Sequence, residues 1–319
     1  MVMSLGHREA PPRGVPPTPG PGRRRLKLST RNTLLGIVMI LPAVVTMLVV
    51  VAYPLVFGVS LGFFDVRLLT LERTFVGFAN FVEVLTGDAR FLSSLWINTK
   101  FAVATVIVQT VVGVGMALLL NRVFFGRSMA RGLVLFPYLV PVIAATTVWR
   151  WMMDEGNGLL NYLIITSGIS DEPIGWLSTP NWAMFSLILV ASWRLFPFVL
   201  IAVLGRLQNI PRELYEAAWV DGASRWQTFW HITLPQLRSV LIVTVFLRFI
   251  WDFNDFDIIA LMTGGGPART TETLPFLIYS ELFNGASPGI AAAIADLVLV
   301  ILAAFFALYF WVVKPNRDR

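Results

Sequence analysis

The chain has 319 residues, of which 56% are hydrophobic and only 14% charged; a soluble domain of this length would need far more surface charge. The net charge of +6 does not indicate a nucleic-acid partner, because the basic residues sort into alternate connections between apolar runs. There is no cysteine, which excludes disulfides, thiolate metal sites and cysteine nucleophiles.

Residues 1–32 form a Pro- and Arg-rich tail that is expected to be disordered. It ends in Arg23, Arg24, Arg25, Lys27 and Arg31. Six apolar runs follow, each long enough to cross a bilayer at roughly 20 residues per span. They cover Leu34–Phe64, Trp96–Leu120, Leu133–Met153, Met184–Leu204, Leu237–Leu261 and Ile290–Val313. The fold class is therefore all-α, a polytopic membrane protein with one transmembrane domain over 33–313. Short cytoplasmic tails flank it at 1–32 and 314–319. No cleavage pattern follows the first run, so it reads as a retained helix. That run exceeds the length of a span, which implies tilt, a bend near Pro42 or Pro54, or an early end.

The first outer loop, Asp65–Leu95, carries Val76-Gly77-Phe78-Ala79-Asn80-Phe81, an aromatic stretch expected to form a short interfacial helix. It serves either as a surface anchor or as a contact for an external partner. The second-to-third connection holds Arg122, Arg127 and Arg131, and the fourth-to-fifth holds Arg206, Arg212 and Arg225. Lys314, Arg317 and Arg319 follow the last run, while the loop after Met153 has Asp154, Glu155, Asp171 and Glu172 with no Lys or Arg. Arg67, Arg73 and Arg90 in the first outer loop are mixed with acids. By the positive-inside rule, both termini and the insert at about 209–235 are cytoplasmic. Pro42, Pro54, Pro137, Pro141 and Pro197 lie in or beside spans and are expected to kink them.

The spans contain costly polar groups. These are Trp193-Arg194 in the fourth, then Arg248, Trp251, Asp252, Asn254, Asp255 and Asp257 in or after the fifth, and Asp296 in the sixth. Arg248, Asp252 and Asp255 share one helix face by spacing of four and three. Two accounts remain open. One is an ion-pair network that holds an interface. The other is hydrogen bonding to a hydroxyl-rich substrate, with Trp193, Trp251, Phe253 and Phe256 as stacking faces.

The insert between the fourth and fifth runs reads as two short helices and a turn. Asn209 is an expected N-cap, Pro211 suits a first turn, Gly222 stops the helix and Ser224 caps the next one. Glu216-Ala217-Ala218, then Asp221-Gly222-Ala223, then Ile232-x-Leu234-Pro235 resembles the cytoplasmic loop of permease subunits of binding-protein-dependent ABC importers. A second match follows the fifth run. Thr263 with Gly264, Gly265, Gly266 and Pro267, then Thr271, Leu274 and Ile278-Tyr279, is similar to the maltose-type first permease of the carbohydrate-uptake branch.

The resemblance implies that Glu216 contacts a basic residue of a separate ATPase, that Gly222 sets the angle between the helices and that Asp221 braces the turn. It implies that Gly264–Pro267 faces an extracytoplasmic solute-binding protein. It also implies a second related permease, two ATPase subunits, a sugar or polyol substrate and a place in the bacterial inner membrane. The chain has no Walker-type phosphate loop, so ATP and Mg belong to the partner and no cofactor is expected here. Three other readings are weaker. An importer of peptides, amino acids or phosphate would lack the Gly-Gly-Pro loop, although glycerol phosphodiesters stay within the sugar-type branch. An ion-driven transporter would show inverted repeats, and none is evident. His7 and His231 stand apart from any nucleophile or metal-ligand partner, which argues against an enzyme.

Overall fold

A computed structural model describes residues 30–66, 72–87 and 89–312. The arginines and lysines of the N-terminal tail up to Lys27, together with Arg67, Lys314, Arg317 and Arg319, lie outside the described residues. Two compact units divide the chain between Leu55 and Val56. The first holds helix α1 (Thr30–Met47), a π turn at Leu48–Ala52 and the start of α2 (Tyr53–Leu61). Pro42 sits within α1 without ending it. The π turn stands immediately before Tyr53-Pro54, and the Tyr53 amide bonds Leu48 five residues back. Proline cannot donate four residues back and its ring crowds that carbonyl, so a widened turn relieves both problems. The apolar stretch ends early, at Leu61.

The second unit begins with a short antiparallel ribbon, β1 (Phe64–Val66) and β2 (Arg73–Phe75). The expected interfacial helix is present as α3 (Ala79–Thr86), entered through Gly77 at φ +59. Asn80 is buried and donates to the carbonyls of Gly62 and Phe64 at 2.9 and 3.0 Å. The Gly-x-x-Asn-Phe stretch thus closes the chain where it leaves the first span.

Two long helices form the axis of this unit, α4 (Arg90–Asn121) and α8 (Pro180–Leu207). They pack closely because small residues line the seam. A Cβ on Gly113 would come within 2.7 Å of Val199 Cβ, and Ala117 and Ala191 are fully buried. The third run at 133–153 is divided at the kink expected near Pro141 into two helices, α5 (Arg127–Leu139) and α6 (Val142–Met152), bent by 94°. Pro141 holds Val140 in an extended conformation between them, as the residue before proline prefers. The short helix α7 (Leu159–Thr166) follows.

The expected fifth span at 237–261 also differs. α11 (Leu234–Phe253) stops at Asn254, and a separate α12 (Asp257–Met262) begins beyond it. Helices α13 (Leu274–Phe283) and α14 (Pro288–Val312) complete the unit. Among the described residues five helices are long and apolar enough to span a membrane, or six if the bent pair counts as one.

Candidate functional site

The insert at 209–235 folds as a helical hairpin. α9 (Arg212–Val220) begins after Pro211, which takes the cap position itself. Asn209, the expected cap, instead donates back to the Gly205 carbonyl at 2.7 Å. Proline's extended ψ of 134° at position 211 already breaks the helix there, so no side-chain cap is required. At the other end Gly222 adopts φ +74. Ala223 N–H bonds Ala218 O at 2.9 Å and Gly222 N–H bonds Trp219 O at 3.1 Å, the paired backbone bonds of a Schellman stop. The Asp221 carboxylate makes no hydrogen bond among the described residues; backbone bonds brace this turn. Ser224 and Gln227 form a reciprocal capping box that starts α10 (Arg225–Thr228).

From Arg225 the chain runs as one continuous helix to Phe253, interrupted only by a π turn at Phe229–Thr233. This π turn again stands one residue before a proline, here Pro235. Leu234 N–H reaches back to the Phe229 carbonyl, so Pro235 lies inside the continuous helix and not at a new entry. The Tyr215 hydroxyl and Thr233 Oγ1, 3.2 Å apart, tie the arms together. Neither residue was evident from sequence. Ala218 is buried in the hairpin, and Ile232 and Leu234 are half-buried. Glu216, Ala217, Asp221 and Pro235 are exposed, as is Trp219 at 68%. The outer surface therefore presents the Glu216 carboxylate, a flat alanine and the Trp219 indole, none of them with a hydrogen-bond or ring partner among the described residues.

The intramembrane charges split into two groups. Arg248 and Asp252 are 2% and 1% exposed and pair across one helical turn. Gln109 of α4 completes the cluster, accepting from Arg248 Nε at 2.8 Å and donating to Asp252 Oδ1 at 3.4 Å. This is a buried strut between α4 and α11. Gln109 went unnoticed in the sequence, although an amide amid a run of valines was a usable signal. Asp255 does not share the α11 face, because the helix has already ended. Its carboxylate accepts from Ile258 N–H at 3.3 Å at the entrance to α12, and Arg194 lies 3.9 Å away.

Arg194, Trp251, Asn254, Asp255 and Asp257 line an open cleft of about 280 Å³, and Arg248 and Asp252 form its floor. The Arg248 guanidinium lies 5.4 Å from the Trp251 ring centroid. Trp193 packs edge-on to Trp149 at 5.5 Å, and Phe256 lies against Phe276 and Tyr279. Phe253, an expected stacking face, is buried in the core with Ala102 and Leu274 because it points away from the cleft. Asp296 stands apart on α14, its Oδ2 buried without a hydrogen-bond partner among the described residues.

The Gly-Gly-Pro loop is closed by its own threonines. Gly264 and Gly265 both take positive φ, and a Cβ on Gly265 would come within 2.8 Å of Phe276. Thr271 Oγ1 donates to the Gly266 carbonyl at 2.6 Å and lies 2.8 Å from Thr263 Oγ1. Next to it, Glu272 receives Arg90 through two bonds of 2.7 and 2.9 Å, and Arg90 also pairs with Glu281. The acids that balance this outer-loop arginine thus come from the far side of the sequence. Bidentate pairing of this kind fixes orientation as well as charge.

Comparison with known proteins agrees with this architecture. A family model described as binding-protein-dependent transport system inner membrane component matches residues 109–315. The trehalose/maltose transport system permease MalF of Thermococcus litoralis is 37% identical over 294 residues, covering 92% of this chain and 98% of the relative. The diacetylchitobiose uptake permease DasB of Streptomyces coelicolor is 34% identical over 312 residues, covering 94% and 93%. A solved bacterial transporter for the polysaccharide alginate shares the fold at a TM-score of 0.78 and 22% identity, covering 90% of this chain and 97% of its own. The chain belongs to the family of binding-protein-dependent inner membrane transport components, the multi-pass permeases of ABC importers.

Proposed function

We propose that this chain forms one half of the pathway of a sugar importer, moving an oligosaccharide or related polyol inward. The observation that carries the reading is the hairpin at 209–235, whose exposed Glu216, Ala217 and Trp219 have no hydrogen-bond, ion-pair or ring partner among the described residues. The uptake of trehalose, maltose and diacetylchitobiose ascribed to the relatives favours a carbohydrate. A second, related permease supplies the other half. Two ATPase subunits bind ATP and Mg and receive the hairpin, and a solute-binding protein meets the Gly264–Pro267 loop. Both termini and the hairpin face the cytoplasm of a bacterial cell. The transmembrane domain covers 33–313, and the chain itself carries no cofactor.

Mechanically, the unbroken helix from Arg225 to Phe253 is a lever of about 40 Å at 1.5 Å per residue. ATP-driven movement of the hairpin reaches the cleft of Arg194, Asn254, Asp255 and Asp257 along it. That cleft borders the path, while the Arg248–Asp252–Gln109 strut keeps α4 and α11 in step. The test is to purify the tagged chain from its own host in mild detergent and identify the accompanying proteins by mass spectrometry. An ATPase and a second permease are expected, and the co-purifying binding protein then supplies the uptake assay. Recovery of this chain alone, under conditions that preserve other ABC complexes, would overturn the proposal.

A further inference from the structure

A second cavity, of about 550 Å³, opens beside the hairpin between the start of α5 and the α8–α9 turn. Arg127, Arg131 and Arg212 line it together with Asn121, Gln208 and Tyr215, and no acidic side chain does. Among the described residues no carboxylate pairs with any of the three arginines. Arg127 Nε donates to the Leu120 carbonyl at 2.7 Å, which holds its guanidinium at the cavity wall. Arg131 Nε is buried and makes no hydrogen bond among the described residues. Three guanidiniums around an empty space, one with an orphaned buried donor, is an arrangement that calls for an anion with several acceptor oxygens.

The surroundings identify the anion's carrier. Arg127 and Arg131 face the cavity from one side of α5, while Met129, Leu133 and Phe136 on its other side are exposed and apolar. Val123, which lines the cavity, is 91% exposed, and Phe125 two residues on is fully exposed. A charged recess beside unpartnered hydrocarbon, at the polar end of a membrane helix, matches a lipid with its phosphate inside and its chains outside. We propose that this cavity holds the phosphate headgroup of an anionic phospholipid from the leaflet on the hairpin side. The acyl chains leave past the exposed Val123 and Phe125. The site adjoins the hairpin and so makes the position of α9 sensitive to lipid charge.

The full chain, with its accompanying chains, would be stripped of lipid in mild detergent. It would then be titrated with phosphatidylglycerol or phosphatidylcholine, and bound lipid counted by native mass spectrometry. Phosphatidylglycerol is expected to be retained in preference. Arg127→Gln and Arg131→Gln should each weaken it about fivefold, the usual worth of one basic residue at an anionic surface. Arg131→Lys keeps the charge but loses the buried Nε donor and should weaken retention less than Arg131→Gln. Arg150→Gln should also match wild type, since Arg150 lines neither the cavity nor its mouth. Equal retention of the two lipids would overturn the proposal. So would full displacement by inorganic phosphate, which would mark a free-anion site, or crosslinking of an Arg131→Cys variant to a co-purified protein chain.

Discussion

The hairpin and the buried charge cluster lie at opposite ends of one continuous helix and are held by opposite means. The hairpin is built mostly from bonds between residues a few positions apart, the Gly222 stop, the Ser224–Gln227 box and the backbone bonds at Ala218 and Trp219, with Tyr215–Thr233 a longer tie. Its exposed surface contributes nothing to the chain's own stability. The cluster joins Gln109 to Arg248 and Asp252 across 139 and 143 residues of sequence, beside the local Arg248–Asp252 pair. Damage to the first should therefore abolish coupling while leaving the fold intact. Damage to the second should lower stability before function can be measured.

The sharpest test is Asp252→Ala. It leaves Arg248 buried without its counter-charge and is expected to cost about 3–5 kcal/mol, read as a fall in the melting temperature of the purified complex. Replacing Arg248 and Asp252 together with Met and Leu should recover much of that loss. If the double replacement is as unstable as the single one, the pair is not a self-contained strut. Next, Gln109→Leu removes a neutral partner from Arg248, with an expected loss of about 1–3 kcal/mol in the same melt.

On the hairpin side, Gly222→Asp forces a side chain into a left-handed backbone. The cost should be only about 1 kcal/mol, because nothing lies within 4 Å of a Cβ at that position. Sugar uptake should nevertheless collapse with membrane insertion unchanged. Wild-type uptake in this variant would show that the angle between α9 and α10 does not matter. Smallest in stability is Glu216→Ala, within about 0.5 kcal/mol as for other exposed substitutions. It should still impair uptake and co-purification of the ATPase. A stability loss comparable to Asp252→Ala would remove the distinction between the regions.

Solvent access separates the buried cluster from the cleft beside it without relying on energetics. The natural chain has no cysteine, so single cysteines can be labelled without background. Asn254→Cys is expected to react with a polar thiol reagent, whereas Asp252→Cys should stay protected. Equal reactivity would place Asp252 in the pathway itself.

Much of the architecture was legible in the sequence. Apolar runs of span length, basic residues on alternate sides and the Glu216-to-Pro235 spacing gave the class and the family. Gly222 and Ser224 declared their turn and cap through local chemistry alone. Three features differed from expectation, each for its own reason. The kink expected at Pro141 proved a full 94° break, and α11 ends at Asn254, among acids that lie within the expected fifth run. Asn209 had the right chemistry for a cap but lost the position to Pro211, whose own backbone had already turned. Gln109, Tyr215 and Thr233 were missed because a neutral polar residue gains meaning only from what it faces.

By itself the sequence determined which segments enter the membrane, where the hairpin turns and which residues it exposes. These follow from solvent partition and from hydrogen bonds that close within a few residues. Only the tertiary structure decided that Arg248 and Asp252 are a strut with Gln109, that Asp255 belongs to the next element, and that Arg90 is balanced by Glu272 and Glu281. A charge in a span must find a partner, but the sequence does not say which one. Helices brought together by packing, with Gly113 against Val199, make that choice.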